Sequence, residues 1–285
     1  MTVEKALLAL LHTGLCGTPL SDEVRAWARG EAIVPLYRLS KHHDLAHVVG
    51  TVLDENRLLP SGTEVAAAFL KQQMTAVYRA GQMQGALAEI CEALEGAGIP
   101  FIPLKGAVIR DHYPMPWMRT SCDVDVLVRE ERLDDAIDVL QKHGYTLKGP
   151  RNYHDVSLFS ATGVHLELHF HIRENLESID RLLGRVWEYA TPIASDSFQY
   201  ALTNEYFAFY LLAHMAYHFL SGGCGIRPFM DLWIWKNKVG YDTEALMQMC
   251  RECELESFYN AAMRLCACWF DGEDFDLLSL CIQIT

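Results

Sequence analysis

The spacing of hydrophobic positions changes twice along this chain. From residue 1 to about 98 they recur at helical spacing. Val3 to His12 predicts one helix, and Leu20-Ser21-Asp22-Glu23 places a serine cap and first-turn acids before a second. Pro35 to His47 and Val48 to Leu59 predict one or two more. Thr63 to Gly96 predicts a long helix with Val65, Phe69, Met74, Val77, Met83, Leu87, Ile90 and Leu94 near helical spacing, stopped by Gly96, Gly98 and Pro100. From Ile99 strands and helices alternate. Phe101 to Leu104 and Cys122 to Val128 predict strands on either side of a short helix, Gly106 to His112. Arg129 to His143 predicts an amphipathic helix with Leu133, Ile137 and Leu140 inward. Asp155 to Phe159 and Val164 to Ile172 predict two strands joined by a hairpin at Ala161-Thr162-Gly163. Residues 175 to 285 return to helical spacing, with Thr203 to Leu220, Arg227 to Lys238 and Thr243 to Phe270 as helices. The expectation is an α+β fold in three parts: a helical segment over 1–98, a small mixed β-sheet core over 99–174, and a helical domain over 175–285. The closing run LLSLCIQIT has no cap and reads as a truncated end.

Composition narrows the classes. Half of the 285 residues are hydrophobic, enough for a sizeable core, and the formal net charge is −13. That balance argues against unaided binding to nucleic acid or to anionic membrane, which need clustered Lys and Arg. The longest apolar stretch, Tyr206 to Leu220, is too short to span a bilayer and holds His214 and His218. The start lacks the features of a targeting segment. Nine scattered cysteines read as reduced, mostly buried thiols, so the expected compartment is the cytoplasm.

The candidate chemistry lies on two strands. Side chains alternate faces along a strand, so Val124, Val126 and Val128 enter a core while Asp123 and Asp125 project together from the other face. Two like charges that close call for a cation between them, and carboxylate oxygens suit Mg²⁺ or Mn²⁺. Val164 to Ile172 alternates as cleanly, with His165, Glu167, His169 and His171 on one face. If the two strands are neighbours, Glu167 is a third carboxylate near the metal; otherwise this is a solvated strand face. His214 and His218 share a helix face and read most simply as core or interface residues, with zinc binding or a cleft lining as alternatives. Cys250-x-x-Cys253 and Cys266-x-Cys268 fall in a continuously helical pattern and read as buried thiols rather than a zinc site. Arg227 and Asp231 read as a helix start with a surface ion pair. No strand precedes Gly222-Gly223-Cys224-Gly225, so this run is a hinge or loop rather than a dinucleotide fingerprint.

Phe101 to Val128 resembles the signature of the nucleotidyltransferase superfamily that includes DNA polymerase beta: an apolar strand, a glycine turn opening a helix, a strand with Asp-apolar-Asp, and a later acidic strand. PLKGAVIRDHYP, Arg119, DVDVLV and HLELH resemble, more specifically, the family known as uncharacterised nucleotidyltransferases, firmly over residues 99 to 172. The resemblance implies a nucleotidyltransferase-type sheet. It also implies metal-dependent transfer of a nucleoside monophosphate from an NTP such as ATP to a hydroxyl of a small molecule or protein. In that reading Asp123, Asp125 and Glu167 hold Mg²⁺ or Mn²⁺ and are catalytic, with Glu167 as the base candidate. Lys105, Gly106 and Arg119 meet phosphates, and His169 orients Glu167 or touches a ligand. One position departs from the pattern. Ala107 stands where the family carries Ser or Gly, which removes a hydroxyl and leaves Lys105 and the backbone N–H groups of the Gly106 helix to hold phosphate. A catalytically weak nucleotide-binding or regulatory module on the same fold is the alternative. A metal-dependent phosphohydrolase and a helical adaptor stand behind it.

Overall fold

In the computed structural model, residues 1–30 and 33–271 are described. Five helices lead: α1 (Val3–Cys16), α2 (Asp22–Ala28), α3 (Ile33–His42), α4 (Ala46–Glu55) and α5 (Glu64–Gly96). Thr2, Ser21 and Thr63 start α1, α2 and α5, their side-chain oxygens accepting the N–H of Lys5, Val24 and Ala66. Then come β1 (Phe101–Pro103), α6 (Gly106–Ile109), β2 (Asp123–Val128), α7 (Leu133–Lys142), β3 (Thr146–Lys148), β4 (Asp155–Phe159) and β5 (His165–His169). The strands form one mixed sheet in the order β1-β2-β5-β4-β3. β2 and β5 run parallel, and the other three pairings are antiparallel. The rest comprises α8 (Glu177–Leu183), β6 (Ala190–Pro192), β7 (Tyr200–Leu202), α9 (Asn204–Gly222), α10 (Arg227–Ile234), α11 (Thr243–Glu252) and α12 (Glu256–Cys266).

Two hydrophobic clusters hold these elements. One covers the apolar face of the sheet, where Val124, Val126, Val128, Leu166 and Leu168 meet Ile90 and Leu94 of α5 and Leu133 and Leu140 of α7. The larger one runs from Leu7 to Phe270 and joins the N-terminal helices to α9, α10 and α12. It also takes Ile102 and Leu127 from the sheet and Leu104 just after β1, so α9 and α10 close over the opposite face. α5 serves both clusters, through Phe69 in the helical one and Met83 to Leu94 beneath the sheet.

Three local expectations are corrected. Met74 and Val77 are 72% and 46% exposed, because the middle of α5 lies between the two clusters. The span 175–285 is not helical throughout: β6 and β7 form a hairpin beside β1, where the Phe101 N–H donates to the Phe198 carbonyl at 2.9 Å. These strands are three residues long, too short for an alternating pattern to register. Thr243 to Phe270 is broken between α11 and α12. Glu254 adopts φ 58°, and the Leu255 N–H donates to the Cys250 carbonyl, closing α11. Cys250, Cys253 and Cys266 are buried, with the last two thiols donating to the carbonyls of Ser178 and Phe229. Among the described residues the cysteines form no disulfide. No helix among the described residues is long and apolar enough to cross a membrane. The closing run 277–285 lies outside the described residues.

Candidate active site

Strand register brings the predicted carboxylates together. In the parallel β2–β5 pair Asp125 lies opposite Glu167, and Asp123 opposite His165. His169 is opposite Leu127 on that side and opposite Asp155 across β4. One polar patch therefore spans three strands. His169 Nε2 lies 3.0 Å from Asp125 Oδ1 and 3.5 Å from Glu167 Oε2. Lys105 Nζ reaches the same Asp125 oxygen at 3.7 Å and lies over the Tyr210 ring.

The charges are balanced unevenly. Burial would raise the Asp125 pKa, but Lys105 and then His169 outweigh it and hold the group well below the usual carboxylate range. The Asp123 pKa is raised, first by burial and then by Asp125 and Glu167. Burial opposes the charged form of His169, yet hydrogen bonds with Asp125 and Glu167 lift it to about 9. Glu167 is lowered, chiefly by its hydrogen bond with His169. For Lys105, too, burial is overcome, by Tyr210, Asp125 and Glu174, so the ammonium stays charged. Crowded carboxylates that raise one another's proton affinity are a site for positive charge, here supplied by Lys105 and His169.

The glycine turn is locked to β2 from behind. Lys105 holds φ 39°, a strained conformation for a residue with a side chain. Gly106 is buried, and its carbonyl accepts from Arg110 Nε at 2.6 Å. Arg110 Nη2 donates to Ser121 Oγ at 2.7 Å, and that hydroxyl donates to the Asp123 carbonyl. The Ala107 and Val108 N–H groups donate to the carbonyls of Leu104 and Lys105. Those two amides close the turn instead of pointing at a ligand.

Arg119 lines the cleft in front of this face. Its Nε donates to both oxygens of the buried Asp231, at 2.8 and 2.9 Å, and Tyr113 donates to the same carboxylate at 2.6 Å. The expected surface pair of Arg227 with Asp231 is replaced: Arg227 Nη1 donates to the Thr120 carbonyl at 3.2 Å. On α9, His214 Nδ1 lies 2.8 Å from buried Glu174, and His218 Nε2 lies 3.0 Å from His214 Nε2. Two cavities meet at Lys105, His214 and His218, one of about 490 Å³ toward Arg119, Arg227 and Asp231, the other of about 180 Å³ toward Glu167, His169 and Glu174. Among the described residues three sets of side chains offer metal-binding atoms within 4.8 Å of one another: Asp125, Glu167 and His169; Asp123, His165 and Glu167; and His154, Asp155 and His169.

The profile of a family described as "Uncharacterised nucleotidyltransferase" matches residues 31–271. The chain belongs to this family. A search of curated proteins finds no match. Among solved structures, the solution structure of the antibiotic-resistance factor ANT(2'')-Ia is similar to this chain with a TM-score of 0.44 and 12% identity, covering 65% of this chain and 96% of that one.

For this nucleotidyltransferase chain, the predicted residues Asp123, Asp125, Glu167, His169 and Lys105 share one patch. Gly106 stands behind it in the turn, and Arg119 faces the neighbouring cavity while bound to Asp231. Sequence reasoning missed Tyr113, Glu174, Tyr210 and the buried role of Asp231. A single charged residue inside the apolar run PFMDLWIW was the available signal for Asp231; Tyr113, Glu174 and Tyr210 carried none.

Proposed function

We propose that this nucleotidyltransferase moves a nucleoside monophosphate from an NTP to a hydroxyl of a small-molecule or protein acceptor, with Mg²⁺ or Mn²⁺ as cofactor. The observation that carries this reading is the register that sets Asp125 opposite Glu167, with Asp123 on the same face and Glu167 itself at the wall of a cleft. The donor atoms fit a hard divalent cation that Asp123, Asp125 and Glu167 would hold, Glu167 standing with Asp125 and His169 in one cluster and with Asp123 and His165 in a second. When bound, that ion neutralises triphosphate charge and polarises the α-phosphorus toward in-line attack. Lys105 meets a phosphate oxygen as a point charge, and the Arg110–Ser121 lock keeps the turn in register with β2. His169 orients Asp125 and Glu167 from below.

The test is calorimetric titration of each of the four NTPs, with and without Mg²⁺, on wild type and on Asp123→Asn/Asp125→Asn. The expected result is Mg²⁺-dependent binding of one NTP that the double variant loses. Binding of none, or binding indifferent to Mg²⁺ and to the aspartates, sinks the reading. A second reading, nucleotide binding without turnover, is favoured by the amides of Ala107 and Val108 being used within the turn. NTP binding with no pyrophosphate release would select it.

A further inference from the structure

Glu174, His214 and His218 form a hydrogen-bonded row along the cleft, outside the carboxylate patch. Glu174 is buried five residues beyond the end of β5, and His214 Nδ1 lies 2.8 Å from its Oε1. Four residues along α9, His218 stands on the same helix face. Its Nε2 is 3.0 Å from His214 Nε2, with the two rings nearly perpendicular at 88°. One tautomer assignment satisfies both contacts. A carboxylate only accepts, so His214 carries its proton on Nδ1 and presents a lone pair at Nε2. That lone pair requires a proton on His218 Nε2. The lone pair of His218 is then on Nδ1, on a ring that lines both cavities.

The order of the row is buried carboxylate, oriented imidazole, then a second imidazole at the cleft mouth. This is the arrangement that aims a base, each group fixing the tautomer of the next. The smaller cavity also contains Glu167 and His169, and Lys105, 3.7 Å from Asp125, lines both spaces. The row therefore opens onto the same space as Glu167. Glu167 is engaged with His169 and belongs to the donor set of the cation, so the proton of an acceptor needs another destination.

We propose that His218 Nδ1 takes the proton of the acceptor hydroxyl, with His214 and Glu174 as positioning residues. This rests on the nucleotidyl-transfer reading. In the step, the acceptor O–H bond breaks and its electron pair forms the new bond from oxygen to the α-phosphorus. The bond from that phosphorus to the bridging oxygen breaks, and pyrophosphate leaves with the electron pair. The proton passes to Nδ1, and Glu174 stabilises the resulting imidazolium through His214. Charged and titratable groups facing His218 are His214 and Tyr217 on its own helix, with Glu174, Lys105 and Arg227 from elsewhere. Desolvation at the cleft wall, then His214, hold His218 below the ordinary imidazole range, so it is neutral and able to accept at neutral pH.

Two measurements on the full chain test this. The first is a long-range proton–nitrogen spectrum of histidine-labelled protein at pH 7.5, with His214→Gln and His218→Gln assigning the signals. The expected tautomers are Nδ1–H for His214 and Nε2–H for His218, and Glu174→Gln should redistribute both. A proton on His218 Nδ1, or indifference to Glu174→Gln, overturns the row. The second is pyrophosphate release from the NTP that binds, with Mg²⁺ and with water or glycerol as the hydroxyl. His218→Gln should keep NTP affinity within about threefold while the rate falls about 10²-fold or more. An unchanged rate overturns the assignment, as does a wild type that binds NTP yet releases no pyrophosphate, since water reaches the same nitrogen. If the wild type binds no NTP, the transfer reading itself fails, and the spectrum still decides the row.

Discussion

Asp231 shows at the scale of one residue what the sequence conceals. Its carboxylate is buried and receives Arg119 and Tyr113, residues more than a hundred positions away in the chain. In the sequence Tyr113 reads as an ordinary loop residue and Arg119 as a phosphate contact, and neither points to Asp231. Together they tie the loop before β2 to α10, beside the larger cavity. Removing one partner of a buried pair strands the other charge, a loss of about 3–5 kcal/mol. Arg119→Ala and Asp231→Ala should each lower stability by that order in urea unfolding, and the double variant should lose less than the sum. Single-variant losses below about 1 kcal/mol would show that the pair does not hold the loop. The candidate carboxylates were legible by contrast, because strict alternation in DVDVLV and VHLELHFHI assigns faces without knowledge of any distant partner.

Elements with a strong period were found, and elements with a weak one were not. The capped helices α1, α2 and α5 and the strands carrying Asp125 and Glu167 follow from local rules. The β6–β7 hairpin does not, because tertiary hydrogen bonds stabilise it. Glu95, at the end of α5, accepts from the backbone N–H groups of Phe198 at 3.0 Å and Gln199 at 2.9 Å, and so fixes the hairpin against β1. Hydrogen bonds to a charged group contribute about 1.5–3 kcal/mol. Glu95→Gln, which keeps the shape, should speed hydrogen exchange over residues 198 to 202 with little effect on β4 and β5. Equal exchange in both proteins would mean that apolar packing holds the hairpin.

The whole molecule is strongly acidic, with a formal net charge of −13, while Lys105, Arg119 and Arg227 line the larger cavity. A DNA or RNA oligonucleotide should show no mobility shift with this protein at physiological salt, because phosphate neutralisation needs a basic surface. A salt-sensitive shift would point instead to a polymeric acceptor. The sequence by itself determined most of the helices, the strands β1, β2, β4 and β5, the two faces of β2 and β5, and the family signature, since period and turn chemistry act between near neighbours. Only the tertiary structure decided that β5 lies parallel beside β2, which puts Glu167 opposite Asp125. It also decided that Arg119 faces Asp231, and that Glu174, His214 and His218 stand in one row. Those contacts join residues far apart in the chain, and what joins them is the packing of α9 and α10 over the sheet, which no local pattern encodes.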